Sequence, residues 1–305
     1  MSRDDYVGRF APSPTGALHF GSLVAAAGSF WDARAHGGRW LVRIEDVDTP
    51  RTIPGAGDNI LNTLANFGLE WDGDVVWQSE RLQAYRQALE DLMARGLAYP
   101  CACSRKDLEL APRARDGARI YSGRCRNGLP PGAQPRAWRL RVSPGRFAVV
   151  DEVQGGIDEE VQVEVGDFVL LRADGCFAYQ LAVVVDDAAA GVTHVVRGAD
   201  LLDSTARQVA LQEALGLPRL EYAHLPIVLN GRGEKLSKQT RAPAVNGQRP
   251  GVILTQVLSF LGQHPPPELA DARLTEVHEW ALSHWNLQRV PRRNGLSRPP
   301  SGQIC

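Results

Sequence analysis

The segment Arg9-Phe-Ala-Pro-Ser-Pro-Thr-Gly-Ala-Leu-His19-Phe-Gly21-Ser22 places a tight turn, then a histidine, at the start of a run with helical spacing. A helix N-terminus carries unsatisfied N–H groups and a positive dipole end. Small residues let phosphates come close, so the arrangement suits a triphosphate. Far along the chain, Gly231-Arg-Gly-Glu-Lys235-Leu-Ser-Lys238-Gln239 sets two lysines three apart in a glycine-flanked loop. A third constellation is Cys101-Ala-Cys103 followed by Cys125, in a segment broken by Pro and Gly and poor in core residues. Thiols so spaced suit one four-coordinate zinc, with reduced structural thiols as the alternative. Taken singly, the histidine reads as a structural residue and the lysine loop as a solvated turn.

Together, His19-Phe20-Gly21-Ser22 and Lys235-Leu236-Ser237-Lys238-Gln239 resemble the HIGH and KMSKS signatures of class I aminoacyl-tRNA synthetases. Ser22 stands where the second histidine would be, Leu236 replaces the methionine and Gln239 the final serine. The resemblance implies attack of a carboxylate on the α-phosphorus of ATP, with pyrophosphate leaving and Mg2+ accompanying the nucleotide. His19 and Lys238 would stabilise the charge that builds on the phosphate oxygens, with Lys235 in support. His19, Gly21, Ser22 and Lys238 would contact ATP.

The stretch from Arg9 to His19, Leu41-Val-Arg-Ile-Glu45-Asp-Val-Asp-Thr-Pro-Arg51 and His194-Val-Val-Arg197-Gly-Ala-Asp-Leu-Leu202 are similar to glutamyl-tRNA synthetases, in the same order and at compatible spacings. The substrate so implied is L-glutamate, with two carboxylates and one ammonium. Carried onto matching positions, the pattern implies Arg9, Tyr179 and Arg197 around carboxylate oxygens, Ser13 beside them and Glu45 on the α-ammonium. Arginine suits the task because its fork can bind a carboxylate through two hydrogen bonds. A structural ion pair is the other reading of Arg43 and Glu45.

The cysteine segment is similar to that of the short, glutamyl-queuosine branch of the same family. That likeness brings in Tyr121 as fourth ligand, with Cys101, Cys103 and Cys125, to one structural zinc per chain. With four protein ligands, no position would stay open for water. Between Cys101 and Phe147 stand eleven Lys and Arg against three acids, a local excess of +8 that leaves −9 on the rest of a chain whose net charge is −1. Such a block suits a phosphate backbone, and the resemblance places it at the end of a tRNA.

These residues need a frame. Tyr6–Ala11 reads as a strand, Leu18–Ala35 as a helix closed by Gly37-Gly38, and Trp40–Ile44 as a second strand, the seed of a right-handed parallel crossover. Helical spacing recurs over Ile60–Phe67, Leu82–Leu92 and Leu254–Leu261. Phe168–Leu171, Gln180–Val185, His194–Arg197 and Leu225–Leu229 read as strands, and Asp203-Ser204-Thr205 as a helix cap. The expected fold is α/β, a Rossmann-like doubly wound parallel sheet with an inserted zinc-binding module and a short C-terminal helical region. Residues 1–98 and 158–240 would form the two halves of the catalytic domain, 99–157 the insert, 241–289 the helical region and 290–305 a disordered tail.

With 44% hydrophobic and 23% charged residues and no apolar run near the ~20 residues of a membrane span, the sequence reads as a cytoplasmic protein without a signal peptide. About 65 residues follow Gln239, too few for the helical region with which a full glutamyl-tRNA synthetase reads the anticodon. The short branch instead attaches glutamate to queuosine in the anticodon of tRNA(Asp), which makes a monomer acting on tRNA(Asp) carrying queuosine the expectation. A shortened synthetase charging a tRNA 3′ end, a non-catalytic paralogue that binds glutamate or RNA, and another adenylate-forming enzyme of the same fold are the alternatives.

Overall fold

A computed structural model describes residues 6–236, 243–245 and 249–297. The chain opens with strand β1 (Val7–Phe10), helix α1 (Phe20–Ala35) and strand β2 (Arg39–Ile44). Helix α2 (Ala56–Asn66), strand β3 (Val76–Trp77) and helix α3 (Leu82–Ala94) complete the first half. Strands β4 (Ala98–Cys101), β5 (Ala137–Leu140), β6 (Phe147–Asp151) and β7 (Gly155–Glu159) follow. Then come the one-turn helix α4 (Val161–Glu164), strand β8 (Val169–Leu171) and helix α5 (Tyr179–Ala189). Strand β9 (His194–Gly198), helix α6 (Thr205–Leu215), strand β10 (Glu221–Leu225) and strand β11 (Ile227–Leu229) lead to helices α7 (Pro250–Phe260) and α8 (Leu274–His284) and strand β12 (Gly295–Ser297).

Strands β1, β2 and β3 pair in parallel, and so do β6, β10 and β9, with β7 antiparallel on the outer edge of β6. The two sheets meet edge to edge at Thr193. Its backbone N–H donates to the Val7 carbonyl at 2.9 Å, and its hydroxyl accepts from the Val7 N–H at 2.9 Å. From that seam the first half builds outward through β2 and β3, and the second half builds the opposite way through β10 and β6. Such a reversal of strand order opens a crevice at the carboxyl ends of the central strands, where ligands of open α/β sheets bind.

Helix α1 is buried almost all round because it lies between this sheet and the C-terminal helices. Trp31 donates its indole N–H to His278 of α8 at 3.1 Å, Trp285 donates to Asp32 at 2.8 Å, and Phe20 meets Phe260 of α7 edge-on. Gly28 allows the close approach to the sheet, since a Cβ there would lie 2.5 Å from Leu225 Cδ1. No described helix is long and apolar enough to cross a membrane.

Several elements differ from expectation. Gln180–Val185 is helical, inside α5. A short apolar run fits a buried helix as well as a buried strand, and the packing of α5 against α3 and α6 decides. Pro226 splits the expected strand over 225–229 into β10 and β11. Helix α6 begins at Thr205 after a 3-10 turn over Ala199–Ser204 and has no side-chain cap, because the Ser204 hydroxyl accepts from Gln180 and the Thr205 hydroxyl from Arg197.

The insert is drawn differently too. Strands β4, β5 and β8 form its small antiparallel sheet, so Val169–Leu171 joins the module, whereas Phe147–Asp151 pairs with β10 of the main sheet. Composition marked the basic segment and strand pairing sets the boundary. The expected tail begins inside ordered structure. Gly295–Ser297 forms β12 in parallel with β11, through backbone bonds that the Arg/Pro/Gly composition did not reveal.

Trp31 is fully buried against His278 and Trp285. Trp31→Ala is expected to lower unfolding free energy by about 3–5 kcal/mol in a denaturant titration, by cavity formation and loss of the indole hydrogen bond.

Candidate active site

A cavity of about 720 Å3 occupies the crevice at the seam, lined by Arg9, Ser13, His19, Gly21, Ser22, Tyr179, Arg197 and Lys235 among others. Residues more than two hundred positions apart thus share one space of the size that small-molecule sites take. Each has its own support. Arg9 lies on β1, Arg197 on β9, Tyr179 opens α5 and His19 caps α1.

The His19 ring folds back over the helix start. Its Nδ1 accepts the Ser22 N–H at 3.1 Å, and its Nε2 lies 3.3 Å from the Ser22 hydroxyl. An accepting Nδ1 leaves the ring proton on Nε2. A Cβ at position 21 would lie 3.2 Å from the ring, so glycine there gives the imidazole its place. Ser22 therefore does local work where the family signature has a second histidine: it orients the first.

At the other end, Lys235 follows a turn in which the Asn230 side chain accepts from the N–H groups of Arg232 and Glu234. Leu236 N–H donates to the Val228 carbonyl at 2.7 Å, which ties the loop to β11. Lys235 Nζ lies 2.5 Å from Asp200 Oδ2, at the rim of the cavity. Lys238, Ser237 and Gln239 lie outside the described residues.

The Arg9 end of the cavity rests on a buried ion network. Arg9 donates from Nε and Nη2 to the Asp187 carboxylate at 3.3 and 3.5 Å. Arg43 donates from Nη1 to Asp187 at 2.6 Å and from Nη2 to Glu45 at 3.1 Å. Behind them Asp186 accepts from Gln78 at 2.9 Å, Arg81 at 2.5 Å and the Tyr85 hydroxyl at 2.7 Å. Burial favours the neutral acid at Asp187, yet the Arg43 and Arg9 guanidiniums hold its carboxyl below the usual range, so it stays ionised. For Glu45 burial wins over Arg43 and Arg9, and its pKa is raised. Burial beside Glu45 also raises the Tyr179 phenol, which keeps its proton and can donate.

With its Nε edge on Asp187, Arg9 keeps two Nη1 hydrogens and one Nη2 hydrogen for another anion. The backbone N–H of Glu45 donates to the Pro12 carbonyl at 3.0 Å, joining the end of β2 to the turn that carries Ser13. Glu45 is not among the residues that line the cavity; Arg43 links it to the network beneath.

Asp186, Asp187 and Asp200 carry no expected role from sequence. The signal for the first two was available: adjacent acids end the apolar run Leu181–Val185, where charge must find a buried partner.

In the small module, Cys101, Cys103 and Cys125 bring their sulfurs within 4.8 Å of one another, and Cys103 and Cys125 lie 3.8 Å apart. The Tyr121 hydroxyl lies 3.4 Å from the Cys101 sulfur and 3.8 Å from that of Cys103, and accepts the Cys125 N–H at 2.8 Å. Arg139 stacks over the Tyr121 ring at 3.9 Å and donates to Cys101 at 3.3 Å. Burial pushes the Cys103 thiol up to about 11 and raises Tyr121, whereas hydrogen bonds, led by that from Tyr121, outweigh burial and lower Cys125.

Residues 6–249 match the family described as tRNA synthetases class I (E and Q), catalytic domain. The chain is 62% identical over 294 residues to the glutamyl-Q tRNA(Asp) synthetase of Aromatoleum aromaticum, covering 96% of this chain and 93% of the relative. It is 57% identical over 296 residues to the protein of the same name from Dechloromonas aromatica, covering 96% and 98%. Among solved structures it resembles a glutamate tRNA ligase from Elizabethkingia meningosepticum in complex with its amino acid, with a TM-score of 0.80 and 25% identity, over 97% of this chain and 67% of that one. A match over most of the length, a shared fold and relatives at this identity place the chain in the class I tRNA synthetases of the E and Q group.

Proposed function

We propose that this protein activates L-glutamate with ATP and transfers it to queuosine in the anticodon of tRNA(Asp). The observation that carries the chemistry is the single cavity that joins the open edge of Arg9 to the His19 helix start and Lys235. The choice of tRNA rests on relatives that match over nearly their whole length and are named for that transfer.

In the first step a glutamate α-carboxylate oxygen bonds to the α-phosphorus, and the bond to the pyrophosphate oxygen breaks. Arg9 and Arg197 bind carboxylate oxygens, the Tyr179 hydroxyl donates, Ser13 lies beside them, and Glu45, held by Arg43, attracts the ammonium. His19 and the N-terminus of α1 face the phosphates, with Mg2+ arriving on the nucleotide. Lys235 exchanges Asp200 for phosphate oxygens, and Lys238 stabilises the transition-state charge. In the second step a hydroxyl of the queuosine cyclopentenediol attacks the acyl carbon, and AMP leaves with the mixed-anhydride oxygen.

The thiol cluster fits zinc. Two thiolates at ~2.3 Å from a tetrahedral ion lie about 3.8 Å apart, the separation found for Cys103 and Cys125, and the Tyr121 oxygen, 3.4 Å from the Cys101 sulfur and 3.8 Å from that of Cys103, would be the fourth ligand. Bound there, zinc would brace a module otherwise held by a small core and present its arginines to RNA. Freshly purified protein is expected to contain one zinc per chain by elemental analysis, and Cys125→Ser to lose it. Metal-free protein with unchanged thermal stability would remove the site.

Lys238→Ala is expected to cut glutamate-dependent ATP–pyrophosphate exchange at least about a hundredfold, the loss of one transition-state donor. Near-normal exchange would remove that role. The transfer itself is tested with labelled glutamate, ATP and three RNAs: tRNA(Asp) with queuosine, the same tRNA without it, and tRNA(Glu). Label on the first alone, at the anticodon, is expected. Label on the 3′ end of tRNA(Glu) would make this a short glutamyl-tRNA synthetase, and no transfer or adenylate would leave a binding paralogue.

A further inference from the structure

Arg197 is held differently from Arg9. Its Nε donates to His224 Nε2 at 2.9 Å, its Nη1 to Gln208 at 2.7 Å, and its Nη2 to the Thr205 hydroxyl at 3.0 Å and the Leu201 carbonyl at 3.3 Å. Four of the five guanidinium hydrogens are thereby committed within the protein, and one on Nη1 remains for the cavity that Arg197 lines. The fork expected at this position is closed. Arg197 offers one aimed N–H and its charge, while Arg9 offers an open edge.

The aim depends on a proton placed elsewhere. An arginine Nε always carries its hydrogen, so His224 must accept through Nε2 and keep its own proton on Nδ1. Asp151 secures this tautomer: its Oδ2 lies 2.6 Å from His224 Nδ1, while its Oδ1 accepts the N–H groups of Val153 and Gln154 in the turn after β6 and of His224 itself. His224 is fully buried, and Asp151 is 2% exposed. Burial outweighs Asp151 and, with the positive charge of Arg197, lowers the imidazole pKa to about 4, so the ring stays neutral. Strands β6, β10 and β9 are adjacent and parallel; His224 stands opposite Arg197, while Asp151, at the end of β6 and opposite Tyr222, reaches His224 two residues on.

We propose that His224, oriented by Asp151, is a positioning residue that locks the Arg197 guanidinium with its remaining Nη1 hydrogen toward the substrate carboxylate, and that this lock sets the preference for glutamate. The inference rests on the glutamate reading of the cavity. His224→Phe keeps a ring and deletes the acceptor. Asp151→Asn presents an amide N–H to Nδ1, which drives the imidazole proton to Nε2 and against the Arg197 N–H. His224→Gln keeps an acceptor within reach of Arg197.

The test measures ATP–pyrophosphate exchange by the full chain with glutamate and with glutamine, after thermal unfolding confirms that each variant folds. For His224→Phe and Asp151→Asn the glutamate KM is expected to rise about tenfold or more and the preference over glutamine to fall by a similar factor. The ATP KM is expected to hold within about twofold, and His224→Gln to recover most of the loss. A folded Phe or Asn variant with unchanged glutamate KM would overturn the proposal, as would glutamate and ATP KM rising in step or a Gln variant no better than Phe. If the Phe variant does not fold, Asp151→Asn decides by the same criteria, and failure of both to fold assigns the pair to folding and overturns the lock. Wild-type protein without glutamate-dependent exchange would overturn the glutamate reading and this inference together; normal wild-type exchange with unshifted variants overturns the inference alone.

Discussion

The Asp187 carboxylate, buried between Arg9 and Arg43, is the interaction on which the Arg9 end of the cavity depends. It fixes the Nε edge of Arg9 and so frees the other edge for a ligand. It neutralises Arg43, which in turn holds Glu45. Removing one member of such a buried set would leave the others as uncompensated charges, a cost of several kcal/mol. The network is therefore cooperative. Its members come from β1, β2 and α5, so the pocket forms only once both halves of the sheet have met.

The meeting of the halves also builds the other end of the cavity. Thr193 and Val7 close the seam, and the reversal of strand order there leaves the crevice open at the carboxyl ends of β1 and β9. Helix α1 starts at its edge with His19 folded over the first turn, while α7 and α8 bury the opposite side. The signature loop is braced by β11, and β11 by β12 from far along the chain. Even the segment with a tail-like composition thus supports the end of the cavity that Lys235 lines.

Much of this was legible in the sequence, for identifiable reasons. The β1–α1–β2 unit showed in a switch from a short apolar run to helical spacing, with glycines at the stop. His19, the lysine loop and the cysteines stood out because rare chemistry sat at fixed spacings. What stayed hidden depended on distant partners. Gln180–Val185 could be strand or helix until its neighbours were in place. Asp187 acquires meaning from Arg43, 144 positions earlier, and Pro226 ends β10 inside what reads as one apolar strand. The docking of Gly295–Ser297 is a backbone event, and side-chain composition does not encode it.

Selection between two nearly isosteric amino acids probes the charge of the site directly. The decisive measurement is ATP–pyrophosphate exchange by the full chain without tRNA, with glutamate and with glutamine over a range of concentrations. Glutamate is expected to support exchange, and glutamine to do so with kcat/KM at least about thirtyfold lower, because an amide leaves a buried guanidinium without its anion at a cost of roughly 2–5 kcal/mol. Glutamine activated as well as glutamate would contradict a pocket built on Arg9 and its Asp187 anchor.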